Sequence, residues 1–296
     1  MLNQIPDFIK EEVMRQFSER SVSRIELLDF SFTSGGCINE SGVLATSLGN
    51  YFIKWNDSAR YPGMFNAESR GLNKLSDTQT LQVPQVMFAC ENAPWQFLVL
   101  EYIRENTRKK NYWKTLGEQL AMLHRNTDDF FGLDYDNYIG SLQQINTNAA
   151  SWIDFFIHNR LAMMMKKLEA ENRIDQSLVN SMDRLYSRLK DLLPDERPSL
   201  LHGDLWSGNV ISGPTGNPVV IDPAIYFGNR EAEIAFTRLF GGFDEDFYES
   251  YQSNYPLISG FEERCDLYNL YPLLVHANLF GQSYLSRISS IVKKYS

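Results

Sequence analysis

Nine consecutive residues, Leu201-His202-Gly203-Asp204-Leu205-Trp206-Ser207-Gly208-Asn209, constrain this chain more than any other stretch. Asp204 is followed five residues later by Asn209, and thirteen residues beyond that by Asp222, which closes the apolar segment Pro218-Val219-Val220-Ile221. Moving a γ-phosphoryl group demands little covalent chemistry of a protein. It needs one carboxylate beside the acceptor hydroxyl and hard oxygen ligands for a Mg²⁺ ion that bridges the phosphates. Asp204 is the candidate catalytic base, and Asn209 and Asp222 are the candidate metal ligands. A lone Asp in a loop is usually a turn or cap residue; three polar side chains at this spacing, with Gly203 and Gly208 beside them, point to phosphotransfer. His202 reads as a scaffold histidine that bonds backbone near the loop, not as a base.

The 296 residues suffice for one large domain or two lobes, each with its own core. No apolar run approaches the roughly 20 residues that span a bilayer, and Met1 to Lys10 lacks a basic patch followed by an apolar stretch. A cytoplasmic protein is expected. Three widely spaced cysteines, Cys37, Cys90 and Cys265, fit neither a disulfide framework nor a paired-cysteine zinc site. The net charge of -9 argues against a nucleic-acid surface, but not against ATP, whose Mg²⁺ complex meets local charges. The acidic clusters at Asp244-Glu245-Asp246 and Glu262-Glu263 read as solvated faces, with attraction of a cationic acceptor as the alternative.

Two patterns divide the chain. Residues 1–105 read as a mixed unit: an amphipathic helix over Ile5 to Phe17, β-like runs at Arg24–Thr33, Gly42–Ser47, Asn50–Trp55, Gln85–Cys90 and Gln96–Ile103, and a helix over Phe65 to Leu75 between the third and fourth runs. Residues 106–296 read as largely helical, with a stripe at Leu116, Leu120 and Leu123 and longer helices over Trp152–Glu169 and Gln176–Leu193. Short strands at Asn209–Ser212 and Pro218–Ile221, joined by Gly213-Pro214-Thr215-Gly216-Asn217, form a hairpin that brings Asn209 and Asp222 to neighbouring strand ends. A helix resumes by about Glu231. This order predicts an α+β, bilobal, protein-kinase-like fold, with an antiparallel N-terminal sheet lobe for the nucleotide and a helical C-terminal lobe for catalysis and acceptor binding.

Further residues follow from that order. Lys54 lies in the apolar strand Tyr51-Phe52-Ile53-Lys54-Trp55, where a buried lysine needs a reason; binding the α/β-phosphates is one, with Glu68 on the next helix steadying the ammonium. The turn Ser34-Gly35-Gly36-Cys37-Ile38-Asn39 precedes it, and its glycines let backbone N–H groups approach phosphates. Gly35, Gly36, Cys37, Ile38 and Asn39 are therefore assigned to the nucleotide. Cys37 is either oxidation-sensitive or an unreactive thiol. Glu101, Tyr102 and Ile103, at the inter-lobe hinge, offer backbone groups to an adenine edge.

With these residues in place, the chain resembles the fructosamine/ketosamine kinases within the wider aminoglycoside phosphotransferase group. The resemblance spans nearly the whole chain. It rests on Gly35-Gly36-Cys37-Ile38, His202 to Asn209 including Leu205-Trp206-Ser207, Asp222-Pro223-Ala224, Gly228 to Glu233, Leu239 to Phe243, and the stretch from Leu267 to Leu285 with His276, Asn278 and Gly281. It implies ATP- and Mg²⁺-dependent phosphorylation of the sugar 3-hydroxyl of a ketosamine, small or protein-linked, giving an unstable phosphoester that releases the amine. Asp204 matches the family's catalytic Asp, Asn209 and Asp222 its metal ligands, and Lys54 and Glu68 its phosphate-binding pair. Trp206 falls on the acceptor side, either packing on a sugar or serving as a core residue. Ser34 and Asn39 depart from the family's usual Gly and Ser.

Three other readings compete. A protein kinase is expected to carry His-Arg-Asp, Asp-Phe-Gly and Ala-Pro-Glu; here Gly203 replaces the Arg and Pro223 the Phe. A kinase of another small alcohol, such as an aminoglycoside, choline or a sugar, is opposed only by Trp206 and the later motifs. A catalytically inactive binding protein on the same fold usually lacks the phosphate Lys or a metal ligand. Lys54, Glu68, Asp204, Asn209 and Asp222 are all present.

Overall fold

The structure, a computed structural model, describes residues 2–20, 25–33 and 39–296. Its first layer is a five-stranded antiparallel sheet of β1 (Leu27–Phe32), β2 (Glu40–Thr46), β3 (Gly49–Asp57), β4 (Val86–Asn92) and β5 (Trp95–Glu101), in the order β1-β2-β3-β5-β4. Strand alternation sends Ile53 and Trp55 of β3 to one face, where they meet Ile9, Val13 and Phe17 of α1 (Asp7–Arg20). Phe52 faces the other way, with Leu98 and Leu100, toward Phe65 and Leu72 of α2 (Met64–Asp77). Lys54 shares the parity of Phe52, so it points to α2. Glu68 lies three residues after Phe65 and four before Leu72, on the same helical stripe.

The remaining chain is mostly helical and shares one continuous core. α3 (Tyr112–Leu123) buries Leu116, Leu120 and Leu123 and packs closely on α8 (Glu245–Asn254), with Gly117 at the crossing. A single helical rod runs from α4 (Trp152–Phe155) through a π-helical turn (Phe156–Leu161) into α5 (Ala162–Ala170), and α6 (Gln176–Leu192) follows. α7 (Arg230–Leu239), α9 (Phe261–Tyr268), α10 (Leu270–Phe280) and α11 (Leu285–Tyr295) complete the helices. Among the described residues, no helix is long and apolar enough to cross a membrane.

Three two-stranded ribbons lie within the rest of the chain. β6 (Asn137–Ile139) pairs with β7 (Leu142–Gln144), β8 (Ser199–Leu201) with β11 (Tyr226–Gly228), and β9 (Val210–Ser212) with β10 (Pro218–Val220). The β9–β10 hairpin closes through Gly213 N–H to Asn217 O, 2.8 Å, as the glycine-rich turn predicts. The other four three-residue strands have no counterpart in the sequence reading, being too short for a period of two to register. β5 ends at Glu101, so the strand expected to reach Ile103 stops two residues earlier.

α2 is fastened to the helical part. Gly71 packs against Ile225, Arg70 pairs with Asp134 at 2.9 Å, and the Tyr138 hydroxyl donates to Pro62 O at 2.9 Å. A helix anchored this way carries Glu68 to a fixed place.

Candidate active site

The chain leaves β8 into the loop His202–Trp206, and the loop is held from below by one carboxylate. The backbone N–H groups of His202 and Gly203 donate to Glu233 at 3.1 and 2.6 Å. Glu233 lies in the first turn of α7, where the helix dipole favours a negative charge. Burial works against that charge, but the His124 hydrogen bond, with His202 and the Gly203 N–H, holds its pKa below the ordinary carboxylate value. The His202 ring is fully buried; Nδ1 accepts from Asp204 N–H at 3.3 Å, which leaves Nε2–H to donate to Ile221 O at 3.0 Å. Burial keeps this ring neutral, lowering its pKa despite the Glu233 charge. His202 is thus a bracket between loop and hairpin, as the sequence suggests.

Gly203 has φ +84°, and a Cβ there would fall 2.0 Å from Ala224 O. Only glycine lets the loop lie this close to the segment after Asp222. Asn209 donates from Nδ2 to both Asp204 O and Asp204 Oδ2, at 2.9 and 3.0 Å. Its nitrogen is spent on Asp204, which leaves the amide oxygen for a cation. Burial, then the Asp222 charge, push the Asp204 carboxyl up to about 7. Such a group suits proton exchange with a hydroxyl near neutral pH.

Ile221 N–H donates to Asn209 O at 3.0 Å, so the hairpin ends place Asn209 and Asp222 side by side. Asp222 adopts φ +54°, a left-handed conformation uncommon outside glycine, and turns its half-exposed carboxylate into the cleft. Lys54 Nζ reaches Asp222 Oδ1 at 2.8 Å and Glu68 Oε1 at 2.5 Å. Burial penalises the ammonium, but the two carboxylates more than compensate and its pKa rises. Partial burial works against the Asp222 charge, yet Lys54 holds its pKa below the ordinary value. Glu68, more deeply buried, rises to about 7.

These groups line one cleft of about 1100 Å³ between the sheet and the helical part. Phe52, Leu100, Ile211 and Ile221 form its apolar end, with Glu101, Tyr102 and Ile103 along the edge. The Glu101 N–H is spent on Gln85 O at 2.8 Å, so the backbone groups that follow it are the better candidates to meet a base. Asn39 also lines the cleft, its side-chain oxygen accepting from Asn56 at 2.7 Å. Gly35, Gly36, Cys37 and Ile38 lie outside the described residues. At the other end stand Trp206, Phe240, His276, Phe280 and Tyr284. Trp206 is 40% exposed and covers Gly208, where a Cβ would meet the indole at 2.2 Å; it is a wall of the cleft and not a core residue.

The donor set fits a Mg²⁺–nucleotide. An amide oxygen and a carboxylate are hard ligands, two protein ligands are typical when phosphates and water supply the rest, and Lys54 stands beside them to meet phosphate charge. Glu233 and His124 were missed as supports of the loop. Glu233 ends the stretch Gly228–Glu233, but its partners lie 30, 31 and 109 residues away, and no local pattern names them.

A five-stranded antiparallel sheet presenting a lysine–glutamate pair over a His-Gly-Asp loop, with a second Asp at a hairpin end, defines a protein-kinase-like phosphotransferase acting on a hydroxyl group. Comparison with known proteins narrows this. The sequence profile of the fructosamine kinase family matches residues 9–296. A protein named "Probable ketoamine kinase" from Synechocystis is 36% identical over 289 residues, covering 96% of each chain. The chloroplastic "Protein-ribulosamine 3-kinase" of Oryza sativa subsp. indica is also 36% identical, over 96% of this chain and 84% of the relative. A crystal structure named "Putative fructosamine-3-kinase" from Haemophilus somnus superposes with a TM-score of 0.86 at 29% identity, covering 96% of both chains. The chain belongs to the fructosamine kinase family.

Proposed function

We propose that this chain transfers the γ-phosphoryl group of ATP to the sugar 3-hydroxyl of ketosamines, the fructosyl or ribulosyl adducts of amines, and so initiates their removal. Asp204 orients the hydroxyl and takes its proton as the oxygen attacks phosphorus. Asn209 Oδ1 and the second Asp222 oxygen would hold Mg²⁺, which would supply positive charge against the phosphates. Lys54, steadied by Glu68, holds the α/β-phosphates; backbone at Tyr102 and Ile103 meets the adenine; Asn39 belongs to the nucleotide side of the cleft. Trp206 offers an aromatic face to the sugar. The observation that carries this reading is the contact chain Glu68–Lys54–Asp222 meeting the Asp204–Asn209 pair in one cleft.

The charges near the acceptor also favour a neutral or cationic substrate. Asp204, Asp222 and Glu233 line the cleft, while Lys54 is its one lysine or arginine among the described residues. A coupled ATP-turnover screen of fructosyl-lysine, ribulosyl-lysine, aminoglycosides and choline, run beside Asp204→Asn, tests the reading. Ketosamines should rank first, and Asp204→Asn should lose turnover while binding nucleotide. A higher rate with an aminoglycoside or choline would replace the acceptor class; turnover with none would leave a binding protein.

A further inference from the structure

Arg160 is fully buried in the π-helical turn, and among the described residues no carboxylate pairs with it. Its guanidinium donates to Ile145 O at 2.6 Å, Asn159 O at 3.1 Å and Asn146 Oδ1 at 2.8 Å, and lies 4.4 Å from the Phe155 ring centre and 4.1 Å from that of Tyr226. Burying a cation without a counter-charge is costly, and an apolar side chain of similar size often serves stability as well. The π-turn that presents it is itself uncommon and tends to occur at functional sites. The hydrogen bonds beyond Arg160 lead to the active site. Asn146 donates to Asn137 Oδ1 at 3.1 Å; Gln144 donates to the same oxygen at 2.7 Å and to Ala224 O at 3.0 Å; Asn137 donates to Ile225 O at 2.8 Å.

These two carbonyls belong to the residues two and three positions after Asp222. A residue at φ +54° keeps that conformation only where its surroundings fix it. Upstream, Ile221 N–H is held by Asn209 O; downstream, the Asn137–Gln144 pair holds Ala224 and Ile225. We infer that Arg160 is a positioning residue for the metal site: through Asn146, Asn137 and Gln144 it fixes the backbone that turns the Asp222 carboxylate toward the cation. The inference rests on the proposed role of Asp222 as a Mg²⁺ ligand.

Outer partners of metal ligands typically change metal affinity by roughly 10- to 100-fold when removed. The test is Mn²⁺ binding followed by electron paramagnetic resonance, in the presence of a non-hydrolysable ATP analogue, for wild type, Arg160→Met, Arg160→Lys, Gln144→Met and Asp222→Asn. Arg160→Met and Gln144→Met should each weaken Mn²⁺ binding by about tenfold, with kcat reduced and the ketosamine KM unchanged. Arg160→Lys should not restore affinity, because one ammonium does not reproduce the planar fork on Ile145 and Asn146. Gln144→Met keeps Arg160 in place and carries the test if Arg160→Met fails to fold. Mn²⁺ affinity within about twofold of wild type in the folded variants, with Asp222→Asn weakened, overturns the positioning role alone. Unchanged affinity in Asp222→Asn as well removes both that role and the metal-ligand reading beneath it.

Discussion

At Gly203 the chain has no room for a side chain. The carbonyl of Ala224 occupies the place of a Cβ, 2.0 Å away, and φ is +84°. Alanine there forces the His202–Asp204 loop away from the segment that follows Asp222. A displacement of about 1 Å at a reacting group typically costs on the order of 100-fold in rate. Gly203→Ala should therefore lower kcat by about that factor, with the KM for ATP little changed; steady-state kinetics of the purified variant provide the check. An undiminished kcat would mean that the loop position does not govern the reaction. His202 gives a second test at this scale. Its folded pKa lies below the ordinary 6.5, so the unfolded chain binds a proton that the folded ring refuses. The stability from the neutral ring is complete above about pH 6.5 and is lost progressively as pH falls below it. Thermal melts between about pH 7 and pH 5 should show His202→Gln with a shallower acid decline than wild type. Parallel declines would contradict the buried, neutral assignment.

Among the elements, the helix pair α3–α8 is closely packed at Gly117. A Cβ on Gly117 would stand 2.3 Å from Phe247 O and 3.0 Å from Ser250 Cβ and Tyr251 N, so the backbones of the two helices approach closely. Gly117→Ala should destabilise the fold by about 2 kcal/mol through overpacking, lowering Tm by roughly 4–8 °C. The folded enzyme should keep its ketosamine KM, since this crossing lies outside the cleft. A calorimetric Tm equal to wild type would show that the pair separates freely. The same scale explains what the sequence makes legible. β3, α2 and the β9–β10 hairpin carry strong periodicity or turn residues, and Lys54, Glu68, Asn209 and Asp222 can be placed from them. The π-turn has no local signature, and β6, β7, β8 and β11 have three residues each. Glu233, His124 and Arg160 act through partners distant in sequence, so their roles appear only when the fold assembles them.

Across the whole molecule, α2 links the five-stranded sheet to the helical part. It carries Glu68 to Lys54 while Gly71 rests on Ile225, and Tyr138 and Asp134 hold its N-terminal half. In kinases regulated by helix movement, the lysine–glutamate pair forms only in the active state. Here the pair is formed, and the helix bearing it is seated on the residues that follow Asp222. The fructosamine kinase family assignment and the cleft geometry together lead to one reaction, and the position of the transferred phosphate decides it. Phosphorus-31 and carbon-13 NMR of the product from fructosyl-lysine and ATP measures that position directly. The account predicts phosphate on the oxygen of sugar carbon 3, with the rate reduced by about 10³-fold in Asp204→Asn. Phosphate on another oxygen, or formation of the same product by Asp204→Asn at the wild-type rate, would contradict it.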